Sequence, residues 1–140
     1  MEIFEIAKTY YTTADYDMRN YKAAIRAFDN LLSDYLGSEF KEEALYYRLK
    51  AAHDFVLKST DRRKIDRIKD AIEAYEKLKR NYPESKFMEE SNEMFATLLT
   101  EQKRVNSIFA KIEKLANLEA NQTIELSEEN ASVNKNLNND

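Results

Sequence analysis

The sequence predicts an all-α chain: a stack of about five antiparallel helices followed by a tail. Three observations carry this. First, YKAAIRAFDNLLSDYLGSEFKEE (21–43) returns 47 positions later as IKDAIEAYEKLKRNYPESKFMEE (68–90), with ten of 23 positions identical. A unit repeated in this way cannot bury its apolar face alone, so copies stack and share a core. Second, one Gly and one Pro in 140 residues leave few helix breakers. Third, apolar residues recur at three- and four-residue steps along most of the chain.

Taken in order, Ile3, Ile6, Ala7, Tyr10 and Tyr11 give a first helix near 2–14. The second, near 20–36, carries Tyr21, Ala24, Ile25, Phe28, Leu31, Leu32 and Tyr35 on one face, and Gly37 suits its left-handed C-terminal cap. A third, near 39–58, has a wide apolar face from Phe40 to Val56. Ser59, Thr60 and Asp61 offer an N-cap for the fourth, near 61–82, with Ile65, Ile68, Ala71, Ile72, Tyr75, Leu78 and Tyr82 facing the core. Pro83 stops it and suits the first turn of a fifth helix, near 84–116. Ala24, Phe28 and Leu31, with their counterparts Ala71, Tyr75 and Leu78, should be buried. Residues 117–140 hold seven Asn and few apolar side chains, which predicts disorder. The expected organisation is a helical repeat domain over 1–118 and an acidic, Asn-rich disordered tail over 119–140.

Composition narrows the chemistry. Without cysteine there is no disulfide framework, thiolate metal site or Cys nucleophile. No apolar run is long enough to span a bilayer, and no signal-peptide pattern opens the chain, which is expected to be soluble as given. Residues 1–118 are neutral, and the net charge of −4 comes from the tail, so nucleic acid is not expected as a partner. His53 is the single histidine, and nothing in the sequence places a nucleophile or second carboxylate for it. A structural or surface role is expected for it. No enzyme, cofactor, metal or small-molecule substrate is expected.

The helix pairs resemble tetratricopeptide repeats. Tyr21, Ala24, Phe28 and Leu31, then Ile68, Ala71, Tyr75, Leu78 and Pro83, fill the places of that family's second helix. Ala44 and Tyr47, then Ser91 and Met94, stand where its first helix has small and aromatic residues. Leu36 replaces the terminal Pro in the first copy, no Trp is present, and the repeat is 47 residues rather than 34. That longer period, the wording of 21–55 and of 71–95, and the charged insert between them are similar to the C-terminal half of the BamD family. BamD is the tetratricopeptide lipoprotein of the outer-membrane β-barrel assembly machinery, and the wording is nearest its Bacteroidota-type members. The resemblance covers about 2–103. It implies a right-handed stack of helix pairs and a non-enzymatic scaffold on the periplasmic face of the outer membrane. It also implies binding to the periplasmic domains of the barrel-inserting subunit. The family's N-terminal half, signal peptide and lipidated Cys have no counterpart here, so a truncated form or a shortened relative is expected. Another tetratricopeptide adaptor, periplasmic or cytoplasmic and unrelated to barrel assembly, is the alternative.

Three groups of residues are candidates for partner binding. Most of the tyrosines at helical spacings, Tyr46 among them, are expected to pack between helices; the sharper reading is that Tyr46 and Arg48, which flank the core position Tyr47, act as interface anchors, since first helices line the concave groove in this architecture. Arg62, Arg63 and Arg67 lie in the charged insert 58–70, which suits a docking patch for an acidic partner, although a solvated helix face with local ion pairs accounts for the same residues and is preferred. Val105, Ile108, Ile112 and Leu115 follow heptad spacing beyond the repeat, with Glu101 interrupting the row. They would pack on another chain, including a second copy, or fray into the tail.

Overall fold

A computed structural model describes residues 2–34 and 39–138, with side chains to residue 135. Five helices make up nearly all of it: α1 (Glu2–Thr13), α2 (Arg19–Asp34), α3 (Lys41–Leu57), α4 (Asp61–Asn81) and α5 (Met88–Asn138). There is no strand among the described residues. The expected Gly37 cap, with Tyr35 and Leu36, lies outside the described residues. The chain forms two compact units, Met1–Val105 and Asn106–Asp140.

The first unit is held by consecutive pairs, with α1 on α2, α2 on α3 and α3 on α4. Between α1, α2 and α3, one cluster buries Phe4, Ala24, Phe28, Leu31, Ala44 and Ala51. Alanines at 24, 44 and 51 let the helix backbones approach, and the rings fill what remains: Phe4 stacks on Phe40 at 5.1 Å and Phe28 on Tyr47 at 6.1 Å. A second cluster joins α3 and α4 to the first turns of α5, through Leu49, Val56, Ile68, Ala71, Leu78, Met94 and Leu98. Full burial of a side chain such as Phe28 or Leu78 contributes about 1.5–3 kcal/mol. All six repeat positions expected to be buried are buried.

Three expectations need correction. On α1 the buried face is Phe4, Ala7 and, just past its end, Ala14; Ile3, Ile6 and Tyr10 are exposed. Two apolar stripes run along this helix, and the one that can stack on Phe40 and meet Tyr47 edge-on is chosen. Pro83 does not open α5. Tyr82 closes α4 through its N–H to the Leu78 carbonyl, and two turns follow: Ser85 N–H to the Tyr82 carbonyl at 3.0 Å, then Met88 N–H to the Ser85 carbonyl at 3.0 Å. The first compact unit ends at Val105, its last fully buried side chain, and position 118 of the expected boundary lies within α5. Finally, 117–138 continues as helix where a disordered tail was expected, although every side chain from Ala110 to Lys135 is exposed. With no Gly or Pro after Pro83, nothing in this stretch interrupts the backbone ladder of α5.

Candidate protein-binding surface

Arg48 is the hub of the first unit. Repeat packing turns this α3 side chain toward the gap between α2 and α4, where it is only 10% exposed. Its Nε donates to Asp29 of α2 at 2.7 Å, and its Nη1 and Nη2 donate to both oxygens of Asp70 of α4 at 2.9 and 2.7 Å. Burial opposes the charge, and the hydrogen bonds to Asp70 and Asp29 outweigh it, so the guanidinium is held above its usual range. One planar fork thus ties three helices together, which a lysine could not do with the same geometry.

This tie divides the α2–α4 groove in two. One end is a cavity of about 640 Å³ lined by Leu32, Ser33, Lys41, Leu45, Glu73 and Lys77. The other, about 560 Å³, is lined by Lys22, Ile25, Arg26, Phe55, Asp66 and Arg67. There the Arg67 guanidinium lies over the Phe55 ring, 3.8 Å from its centroid, and donates to Ser59 Oγ at 2.6 Å. Desolvation, with the charge of Arg63, pushes the Arg67 guanidinium below its usual range. Arg62 and Arg63 are exposed on the same helix.

The rest of the unit is pinned by carboxylates. Asp54 of α3 accepts from Tyr11 Oη of α1 at 2.6 Å, and its other oxygen is 2.9 Å from His53 Nδ1. Desolvation raises the Asp54 carboxyl, but the hydrogen bonds from His53 and Tyr11 outweigh it and leave it below the usual range. Burial and the bond to Asp54 push the Tyr11 hydroxyl well up. Glu101 of α5 accepts from Lys64 of α4 at 2.9 Å and from Arg104 at 3.0 Å, and Arg104 continues to Asp61 at 2.7 Å. Hydrogen bonds from Arg104 and Lys64 bring the Glu101 carboxyl down to about 2. His53 is 12% exposed and lies against Asp54. Among the described residues, no group of three His, Cys, Asp or Glu side chains is placed to hold a metal, and no helix is long and apolar enough to cross a membrane.

The candidate residues therefore separate. Tyr46 and Arg48 are not free anchors. Tyr46 is 5% exposed, stacks on Phe87 at 4.2 Å and donates to Glu90, while Arg48 is spent on its two aspartates. Arg67 lines the groove against Phe55, and Arg62 and Arg63 are exposed on the same helix. Val105 is fully buried in the first unit, so it leaves the expected apolar row. Ile108 is half-buried, and Ile112 and Leu115 are 52% and 61% exposed.

Sequence reasoning missed Asp29 and Asp70 as partners of Arg48, and Lys64 as a buried cation. Only the last left a signal: Lys64 stands on the apolar stripe of α4 and Glu101 on that of α5, two opposite charges on facing core positions. Compared with known proteins, the chain matches no family model and no curated sequence.

Proposed function

We propose that this chain is a non-enzymatic protein-binding scaffold whose helix pairs stack in the right-handed tetratricopeptide manner. The observation that carries the reading is the match between repeat copies. Ala24 and Ala71, Phe28 and Tyr75, and Leu31 and Leu78 are all buried at corresponding places on α2 and α4. Arrays of this kind offer grooves rather than reaction centres, and the open α2–α4 groove beside the α4 arginines is the surface we assign to a partner. The setting we propose is assembly of outer-membrane β-barrel proteins on the periplasmic face, with the barrel-inserting subunit's periplasmic domains as partner. This rests on the resemblance of residues 2–103 to BamD.

The test is affinity capture from an envelope extract with the full chain as bait, followed by mass spectrometry. Enrichment of the barrel-inserting subunit supports the setting. The R62E/R63E chain should lose that enrichment at least tenfold, because both side chains are exposed and neither is part of the core. Enrichment of an unrelated adaptor complex instead would move the chain to another tetratricopeptide role.

A further inference from the structure

We infer that the distal part of α5 is a self-recognition element: residues 108–133 pair antiparallel with the same segment of a second copy. In the second unit, Ile112, Leu115, Leu126 and Val133 are 52%, 61%, 60% and 51% exposed, and Ile108 is half-buried. They occupy alternating heptad seam positions with Glu119, Gln122 and Glu129 between them. A lone helix of this polarity is marginal in water, and an apolar row of this length is ordinarily covered.

Three features commit the cover to a second copy in antiparallel orientation. Under two-fold symmetry, residue i meets residue j while j meets i. A dyad between Ala120 and Asn121 places Leu115 against Leu126, Ile108 against Val133 and Glu119 against Gln122, so apolar residues meet apolar ones. The same dyad puts Ile112 opposite Glu129, whose methylenes can lie along it while the carboxylate reaches water. A parallel, in-register pair would instead set Glu119 on Glu119 and Glu129 on Glu129, like charges in the seam. Charge along the helix gives the third feature. Residues 106–118 carry Lys111 and Lys114 against Glu113, while 119–135 carry Glu119, Glu125, Glu128 and Glu129 against Lys135. Antiparallel pairing lays each copy's basic half beside the other's acidic half. The three polar seam positions weaken the pair and fix its register.

The absence of cysteine from the chain gives a clean test. Full-length L115C and L126C chains are prepared separately, each is oxidised alone, and the two are then oxidised as an equal mixture. The mixture should give a covalent 115–126 dimer, with each variant alone giving less than a tenth as much. Sedimentation equilibrium of the unmodified chain should show twice the 16.5 kDa chain mass at high concentration, with a return to one chain mass on I112D/L126D. Both side chains of that variant are exposed in the single chain, and near-ultraviolet tyrosine signals should confirm an unchanged first unit. Self-linking of L115C would show a parallel pair and overturn the proposal, as would a monomer at every concentration. Neither result bears on capture of an envelope partner by the α2–α4 groove.

Discussion

The two repeat copies use one pattern for different ends. Position 28 and its counterpart 75 both hold a buried aromatic, yet position 48 is Arg in the first copy and its counterpart 95 is Phe in the second. Arg48 stands on α3, between α2 and α4, and finds an aspartate on each. Phe95 stands on α5, and covers Tyr75 of α4 by stacking at 4.2 Å. An ionic tie across the groove needs a helix on both sides, and an aromatic lid needs only one. A similar contrast holds at 54 and 101. Asp54 accepts from the neutral Tyr11 hydroxyl and lies against His53, while Glu101 is clamped by Lys64 and Arg104. Equivalent sequence positions thus keep their geometry and change their chemistry with the number of neighbours.

The comparison can be broken most strongly at the shared aromatic. Phe28→Ala should cost about 3–5 kcal/mol, measured by urea unfolding, because its site at 0% exposure leaves a cavity. Tyr75→Ala should cost less, since its ring lies against the half-exposed Phe95 and that edge can relax or admit water. Equal losses would mean that the copies are not distinguished by their place in the array. Next in size is the 48/95 contrast. Arg48→Met should cost about 1.5–3 kcal/mol, the range for hydrogen bonds to charged groups, and the loss should shrink in high salt because Asp29 and Asp70 are about half exposed. Phe95→Leu should cost under about 1.5 kcal/mol and show no salt dependence.

The carboxylates at 54 and 101 offer a pH test. The Glu101 carboxyl is lowered to about 2 in the folded chain by Arg104 and Lys64, so the folded state binds its proton less readily than the unfolded state. Its contribution is complete above the ordinary carboxyl range near 4.5 and is lost as pH falls through about 2. Glu101→Gln should therefore flatten the acid limb of the stability curve between those values, with little effect on its slope above pH 6. An unchanged acid limb would show that the Lys64–Glu101–Arg104 clamp does not bear on folding. The smallest expected effect is at Ser91, the counterpart of Ala44. Both are 0% exposed, but the Ser91 hydroxyl has no hydrogen-bond partner. Ser91→Ala should raise stability by about 1 kcal/mol, read as a higher urea midpoint. A fall would reveal a bond made by that hydroxyl.

Much of this fold was legible because Ala24, Phe28, Leu31 and their counterparts recur in phase, and a repeat leaves few ways to bury both copies. The face of α1 was not, because Ile3–Ile6–Tyr10 and Phe4–Ala7–Tyr11 both satisfy helical spacing and only the rings of Phe40 and Tyr47 choose between them. The candidate surface was legible in part. Arg67 lines the groove and Arg62 and Arg63 are exposed on the same helix, whereas Tyr46 and Arg48, offered as candidate anchors, are internal. A sequence displays a charge but not its partner, and Asp29 and Asp70 lie 19 and 22 residues from Arg48. The helical state of 117–138 was hidden for another reason: the side chains of 117–135 are exposed in the single chain, and Glu119, Gln122 and Glu129 interrupt the apolar row that would announce it.

Nearest-neighbour packing carries a kinetic consequence. Most helix contacts of the first unit run between chain neighbours, α1–α2, α2–α3, α3–α4 and α4 with the start of α5, with fewer between α1 and α3 and between α3 and α5. Each contact closes a short loop, so the search for native pairings is local and inexpensive in chain entropy. Assembly can begin at whichever pair forms first and spread to its neighbours, as in a one-dimensional chain of coupled units. A chain emerging from a ribosome, or from a translocation pore, would thus consolidate α1 on α2 before α4 exists, and exposed apolar surface at any moment would be limited to about one helix face.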